Sequence, residues 1–144
     1  MSKLFSLILI ICLSPLLALV AISIIIDDGF PIFFKQKRIG LRNIQFWIYK
    51  FRTMHPYSEF IQGEIFKSNS IDSTGKIKED FRLTNWGNIF RKLWIDELPQ
   101  LYNWIRGDIT LVGVRALSEH YFSLYPIDLQ KLRTKFKPGL IPPY

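Results

Sequence analysis

The stretch from Leu4 to Ile26, LFSLILIICLSPLLALVAISIII, contains no charged residue. At about 1.5 Å per helical residue it is long enough to cross a hydrocarbon core of roughly 30 Å. How it is read decides the fold, because a chain of 144 residues has little to spare once such a segment is committed to lipid. A cleaved signal peptide would need a short apolar core ending at a small-residue site, but Ile22, Ile24, Ile25 and Ile26 continue past the small cluster from Ala18 to Ala21. Ser14-Pro15 sits near the middle. A proline there removes one backbone hydrogen bond and clashes with the carbonyl four residues back, so a bend is predicted, with Ser14 available to satisfy a freed backbone group. Lys3 precedes the run, and Lys35, Lys37, Arg38 and Arg42 follow it. Positive charge on both flanks favours a helix that enters the membrane and turns back. The first flank rests on Lys3, so the residues leave a kinked span and a re-entrant helix both open.

Beyond this run lie the 12 acids and all but Lys3 of the 19 basic residues, so the formal net charge of +7 belongs mainly to the part outside the bilayer. It predicts anionic partners: lipid head groups, nucleotides or nucleic acid. The lone Cys12 excludes an intrachain disulfide, and nothing argues for an oxidising compartment. Between Gly29 and Ser58 there is no acid, while Lys35, Lys37, Arg38, Arg42, Lys50 and Arg52 alternate with aromatic and aliphatic groups. Two short strands joined through Gly40 to Asn43 are predicted here. Interleaved bases and aromatics suit an anionic membrane surface and also single-stranded nucleic acid; the apolar run just upstream favours the lipid surface.

Residues 58–80 lack hydrophobic periodicity and read as a surface loop or flap with a short helical piece near Phe60 to Phe66. Thr84 or Asn85 caps a helix bearing Ile89, Phe90 and Leu93. A second helix follows, with Leu98, Leu101, Tyr102 and Ile105 spaced for one buried face and Gly107 at its end. Asp108 to Val114 reads as a brief strand closing on Gly113, whose small size beside Arg115 would let backbone and guanidinium approach a phosphate. Pro126 opens a basic amphipathic helix with Leu129, Leu132 and Phe136 on one side, ended by Lys137-Pro138-Gly139.

Between the two central helices stands Trp94-Ile-Asp96-Glu97-Leu-Pro99-Gln100. Adjacent carboxylates are costly unless a cation sits between or beside them, and Arg82, Arg91, Lys92, Arg106 and Arg115 are all close in sequence. Two carboxylates, several guanidinium groups and a divalent cation suit phosphoryl transfer. An acidic pair at a helix start is more often a cap in favourable contact with the helix dipole; the surrounding arginines raise the functional reading. His55 and His120 lack metal-ligand spacing and receive no role. Trp86, Phe90, Trp94, Tyr102 and Trp104 read as core or interfacial packing. The absence of either common Gly-rich phosphate loop argues against a nucleoside-triphosphate hydrolase or a dinucleotide oxidoreductase.

Taken together, these residues resemble the monotopic phosphoglycosyl transferases, bacterial sugar transferases that begin polysaccharide and glycoconjugate assembly on polyprenyl phosphate. The likeness runs in order through Ser14-Pro15, Phe34-Lys-Gln-Lys-Arg-Ile-Gly40, Tyr49-Lys-Phe-Arg-Thr-Met54, Asp80-Phe-Arg82-Leu-Thr84, Asp96-Glu-Leu-Pro-Gln100, Gly107-Asp108, Leu111-Val-Gly-Val-Arg115 and Lys137-Pro-Gly139. Each motif alone is weak; the ordered set is strong. The resemblance implies an α+β fold, a small mainly helical catalytic domain with short strands (residues 29–144) anchored by an N-terminal re-entrant membrane helix (residues 1–28). It implies placement at the bacterial inner membrane with the catalytic domain on the cytoplasmic face. Asp96 matches the nucleophile that attacks the sugar-bearing phosphate of a UDP-sugar, releasing UMP and leaving a phosphosugar on the enzyme for transfer to polyprenyl (undecaprenyl) phosphate. Glu97 would help Asp96 bind Mg²⁺ or act as a base, and Lys50, Arg82, Arg91 and Arg115 would contact phosphates.

Two departures bear on this. Many family members read Gly-Pro-Arg-Pro where this chain has Gly113-Val114-Arg115-Ala116, and Asp-Pro-Arg where it has Asp80-Phe81-Arg82. Losing those prolines relaxes the backbone around two phosphate-binding arginines. Relatives also commonly continue beyond Lys-Pro-Gly, which raises a C-terminally truncated, inactive relative as one alternative. A non-catalytic membrane adaptor docking an acidic partner on its basic face is a second, and a membrane-tethered nucleic-acid module a third.

Overall fold

In the computed structural model, which describes residues 2–60 and 80–142, the apolar run forms a single helix, α1 (Ser2–Asp28), assigned without interruption through Pro15. Proline cannot donate to the carbonyl four residues back, which is that of Ile11. The Ser14 hydroxyl donates to that carbonyl at 2.7 Å, the repair expected of it. Contacts with the rest of the protein run along the whole helix. Near its start the Ser6 hydroxyl donates to the Leu101 carbonyl at 2.9 Å, and Leu9, Ile10 and Leu13 pack on Leu101, Trp104 and Ile109. Further on, Val20 and Ile24 are buried with Phe51 and Phe90, flanked by Leu17 and Ala21. The opposite face, including Ile8, Ile11, Leu19 and Ile22, is exposed and carries no charged residue.

The predicted strands form an antiparallel hairpin, β1 (Phe33–Ile39) and β2 (Gln45–Phe51), in register from Phe33 opposite Phe51 to Ile39 opposite Gln45. A one-turn 3-10 helix over Leu41–Asn43 closes it, with Arg42 and Asn43 at positive φ. Alternation puts Phe34, Gln36 and Arg38 on the same face as Lys50, Ile48 and Phe46, and the chain beyond β2 carries Arg52 and Thr53 onward from that edge. A further 3-10 turn covers Pro56–Glu59; the remainder of the predicted loop, with its helical piece towards Phe66, lies outside the described residues.

Helix α2 (Asn85–Lys92) begins at Thr84, whose hydroxyl accepts from the Gly87 amide at 3.0 Å, a cap worth about 1 kcal/mol. Gly87 also lets α2 touch the chain after β2: a Cβ there would meet the Thr53 carbonyl oxygen at 2.1 Å. A 3-10 turn over Ile95–Glu97 leads to α3 (Gln100–Arg106), which ends at Gly107 as expected. Its buried face differs from the one predicted. Gln100, Leu101, Asn103 and Trp104 are buried, whereas Tyr102 is exposed. Asn103 is inside because its amide is fully used: it accepts from the Tyr49 amide at 3.1 Å and donates to the Trp47 carbonyl at 2.7 Å and to Asp108 at 3.0 Å, stitching α3 to β2.

Strand β3 (Thr110–Val112) pairs in parallel with β4 (Gly139–Ile141), a strand the helix-ending reading of Lys137-Pro138-Gly139 did not include. Gly113 owes its size to this pairing, since a Cβ there would meet the Lys137 carbonyl oxygen at 2.7 Å and the Gly139 amide nitrogen at 2.9 Å. The close approach it permits is strand to strand. Between them lie α4 (Glu119–Ser123), capped by Ser118, and α5 (Ile127–Arg133), opened by Pro126 with Leu129 and Leu132 exposed. The architecture is α+β, with two small two-stranded sheets packed among short helices on α1.

Candidate active site

The polar face of the hairpin, the chain after it, the bend before α2, the last turn of α2 and the turn that follows enclose a cleft of about 770 Å³. All six residues singled out from the sequence, Lys50, Arg82, Arg91, Asp96, Glu97 and Arg115, line it. They arrive from five separate parts of the chain, with Asp96 and Glu97 together in the 3-10 turn after α2. Lys50 comes from β2, Arg82 from the bend before α2, Arg91 from the last turn of α2, and Arg115 from the segment after β3. Ser14 and Pro15 lie in α1 and do not line the cleft.

The two carboxylates have different surroundings. Glu97 meets Lys50 Nζ at 2.5 Å and has an Arg115 guanidinium nitrogen at 3.7 Å. Asp96 is only 8% exposed, and among the described residues no other side chain hydrogen-bonds its carboxylate. Burial, the largest effect, pushes its pKa above the ordinary carboxylate value; Lys50 and Arg91 pull it back and Glu97 pushes it further up. The result is a carboxylate with little hydration that, among the described residues, takes a hydrogen bond from its own backbone amide but from no other side chain, and that lines a cationic cleft. The turn that presents it starts at Trp94, which adopts φ 60° and ψ 15° and so reverses the chain sharply between α2 and the acid pair.

The arginines are held by side chains that leave part of each guanidinium free. Arg82 is clamped by Asp80 through two bonds of 2.7 Å, and that clamp holds the Asp80 carboxyl below its ordinary range and Arg82 above its own. It forms without the proline that many relatives carry between these residues. Arg91 Nε donates to the Thr53 hydroxyl at 2.8 Å. Arg115 is more than half exposed and its carbonyl accepts from Arg133 at 2.8 Å.

Sequence reading passed over several residues of this cleft. Arg38, on the hairpin face shared with Lys50, donates to Gln36 at 2.6 Å; burial, then Arg115, lowers its pKa. Arg52 is 6% exposed, donates to the Asp28 and Gly29 carbonyls and lies 2.9 Å from the Asp28 carboxylate. His55, given no role from the sequence, meets the other Asp28 oxygen at 2.8 Å and lines the cleft. Strand alternation around Lys50 was the signal for Arg38 and Arg52; the link to Asp28 had none, since the partners are far apart in sequence.

Among the described residues no cluster of three or more His, Cys, Asp or Glu is placed to hold a metal. Asp96 and Glu97 supply two neighbouring carboxylates, a set that suits Mg²⁺ when phosphate oxygens and water complete its shell. Burial raises the cost of the Asp96 negative charge, and a cation bound between the two carboxylates would offset it.

A family model described as bacterial sugar transferase matches residues 1–143. The uncharacterized sugar transferase EpsL of Bacillus subtilis is 40% identical over 135 residues, covering 92% of this chain and 60% of that protein. The exopolysaccharide production protein ExoY of Sinorhizobium fredii is 38% identical over 142 residues, covering 95% of this chain and 62% of that protein. A UDP-N-acetylgalactosamine-undecaprenyl-phosphate N-acetylgalactosaminephosphotransferase of Aeromonas hydrophila is 39% identical over 129 residues, covering 88% of this chain and 28% of that protein. The chain thus spans less than two thirds of the length of each of these relatives.

Proposed function

Because the chain belongs to the bacterial sugar transferase family, we propose that it moves a sugar 1-phosphate from a UDP-sugar to polyprenyl phosphate, beginning polysaccharide or glycoconjugate assembly. The observation that carries this reading is the buried Asp96, without a salt-bridge partner among the described residues, in a cleft lined by Lys50, Arg82, Arg91 and Arg115. Asp96 Oδ attacks the sugar-bearing phosphorus; an aspartyl–phosphorus bond forms, the bond to the bridging oxygen breaks, and UMP leaves with that oxygen. A phosphate oxygen of the polyprenyl phosphate then attacks the same phosphorus and Asp96 leaves as a carboxylate. Splitting the transfer this way spares the enzyme a direct encounter of two anions. The raised pKa of Asp96 reflects a poorly solvated, more basic and more nucleophilic carboxylate.

Glu97 pairs with Lys50 and orients that cation towards the donor, while the clamped guanidinium groups meet phosphate oxygens. Mg²⁺, when bound by Asp96 and Glu97, would neutralise charge on the diphosphate.

One substrate is dissolved in lipid and the other in water, so the reading also needs α1 at the membrane. Contacts at both ends of α1, from Ser6 on Leu101 to Asp28 on Arg52, support a helix that enters and remains on the same side as its domain, in the re-entrant manner of a monotopic protein. A bilayer-crossing helix bound along its length in this way would draw the charged domain into hydrocarbon, which is costly. The anchor is then residues 1–28 and the catalytic part residues 29–144, on the cytoplasmic face where nucleotide sugars are available.

The test is to incubate membranes carrying the full chain with a panel of labelled UDP-sugars, Mg²⁺ and polyprenyl phosphate, and to score UMP. Release with one or a few donors is expected. No release with any donor would remove the reading and leave an adaptor or an inactive relative.

A further inference from the structure

Helix α2 carries an apolar stripe that the fold leaves uncovered. Trp86, Ile89 and Leu93 follow i, i+3, i+7 spacing and are 44%, 45% and 62% exposed. At about 100° per residue they fall beside Phe90, the residue that seats α2 against α1. One end of the stripe touches the apolar helix: the Trp86 amide donates to Asp27 at the last turn of α1, at 3.1 Å. The other end opens on the cleft, where Leu93 is followed by Trp94, itself a lining residue two positions before Asp96.

Trp94 adds a second observation. Its left-handed backbone costs a bulky residue about 1–2 kcal/mol, and glycine would adopt it freely. Packing does not repay that cost, since the side chain is 62% exposed. An exposed indole kept at a strained position beside the reactive carboxylate has a use outside the fold.

Resting on the transfer reading above, the geometry points to this stripe as the track for the hydrocarbon tail of the lipid acceptor. The first isoprene units lie on Trp94 and Leu93, and the chain leads back over Ile89 and Trp86 to the exposed face of α1. The ligand such a surface fits is apolar where it meets α1 and anionic where it enters the cleft of Lys50, Arg91 and Arg115. A long isoprenoid ending in a phosphate has that polarity.

The experiment is equilibrium binding of undecaprenyl phosphate and of the short geranyl phosphate to the full chain in detergent, with no donor present, so that it does not depend on Asp96 chemistry. In Trp86→Ser/Ile89→Ser the affinity for undecaprenyl phosphate should fall about tenfold, while geranyl phosphate, too short to reach those residues, should change less than about twofold. Ile89→Ser alone should cost about threefold with the long ligand, guarding against a misfolded double variant, and Trp86→Phe/Ile89→Leu should restore it. Equal losses for both ligands, or none for either, would overturn the track. Failure of the unaltered protein to bind undecaprenyl phosphate would instead overturn the transfer reading beneath it. Weakened sedimentation of the variant with vesicles, without a chain-length effect, would assign the stripe to bulk lipid and also overturn the proposal.

Discussion

Two of the chain's consecutive acid pairs, Asp27-Asp28 at the end of α1 and Asp96-Glu97 in the cleft, each have an arginine beside one member, and they are built for different ends. In the first pair each acid has a partner on another element. Asp27 accepts from the Trp86 amide at the start of α2, where the helix dipole favours it, and Asp28 lies between Arg52 and His55. In the second, Glu97 is paired and Asp96 is buried, the cost of its desolvation outweighing the pull of Lys50 and Arg91. Neighbouring acids therefore do not by themselves mark a reactive centre. What distinguishes the centre is a carboxylate left poorly solvated and unpartnered beside cations that are free to meet a substrate.

The comparison breaks most visibly in Asp96→Asn. Turnover should fall by at least about 10³, as expected when a nucleophile is lost, while the thermal midpoint rises slightly because a poorly solvated charge beside Glu97 is gone. A UMP-release assay and a melting curve on one preparation check both halves. Asp28→Ala should do the reverse. It leaves the buried Arg52 without its carboxylate, costing about 3 kcal/mol, which lowers the midpoint by about 10 °C, while the remaining folded protein keeps its donor step.

The smallest effect is in pH. A carboxyl whose folded pKa is raised holds its proton more tightly when folded, so its contribution to stability is fully present below the unfolded value of about 3.9 and is lost as pH rises through the folded value. The stability advantage of Asp96→Asn should therefore grow as pH is raised through that window. Activity of the unaltered protein runs the other way, because attack needs the ionised form. Asp80, with its pKa lowered by Arg82, has the opposite linkage: its stabilisation is present above the unfolded value and lost as pH falls through the folded one.

Much of the site was legible from the chain because its parts are local. The hairpin, the Thr84 cap, the Gly107 stop and the repair of Pro15 by Ser14 follow from neighbouring residues. The gathering of Lys50, Arg82, Arg91, Asp96, Glu97 and Arg115 came from the ordered motifs and the clustering of charge, although their contacts span up to dozens of residues. What escaped reading was pairing without a local signature. β4 hid behind a Lys-Pro-Gly that looks like a helix end, and Asn103 sits in the core because it satisfies β2 rather than because it is apolar. The grip of Asp28 on Arg52 and His55 depends on α1 lying along the domain, which neither end of the sequence announces.

The central claim is that Asp96 becomes covalently attached to phosphorus. Mass spectrometry of the full chain incubated with its UDP-sugar and Mg²⁺ but no acceptor tests it most directly. The account predicts a sugar-phosphate adduct on the peptide containing Asp96, discharged on adding polyprenyl phosphate and missing in Asp96→Asn. UMP release with no adduct on the protein, or an adduct carried by another residue, would contradict it.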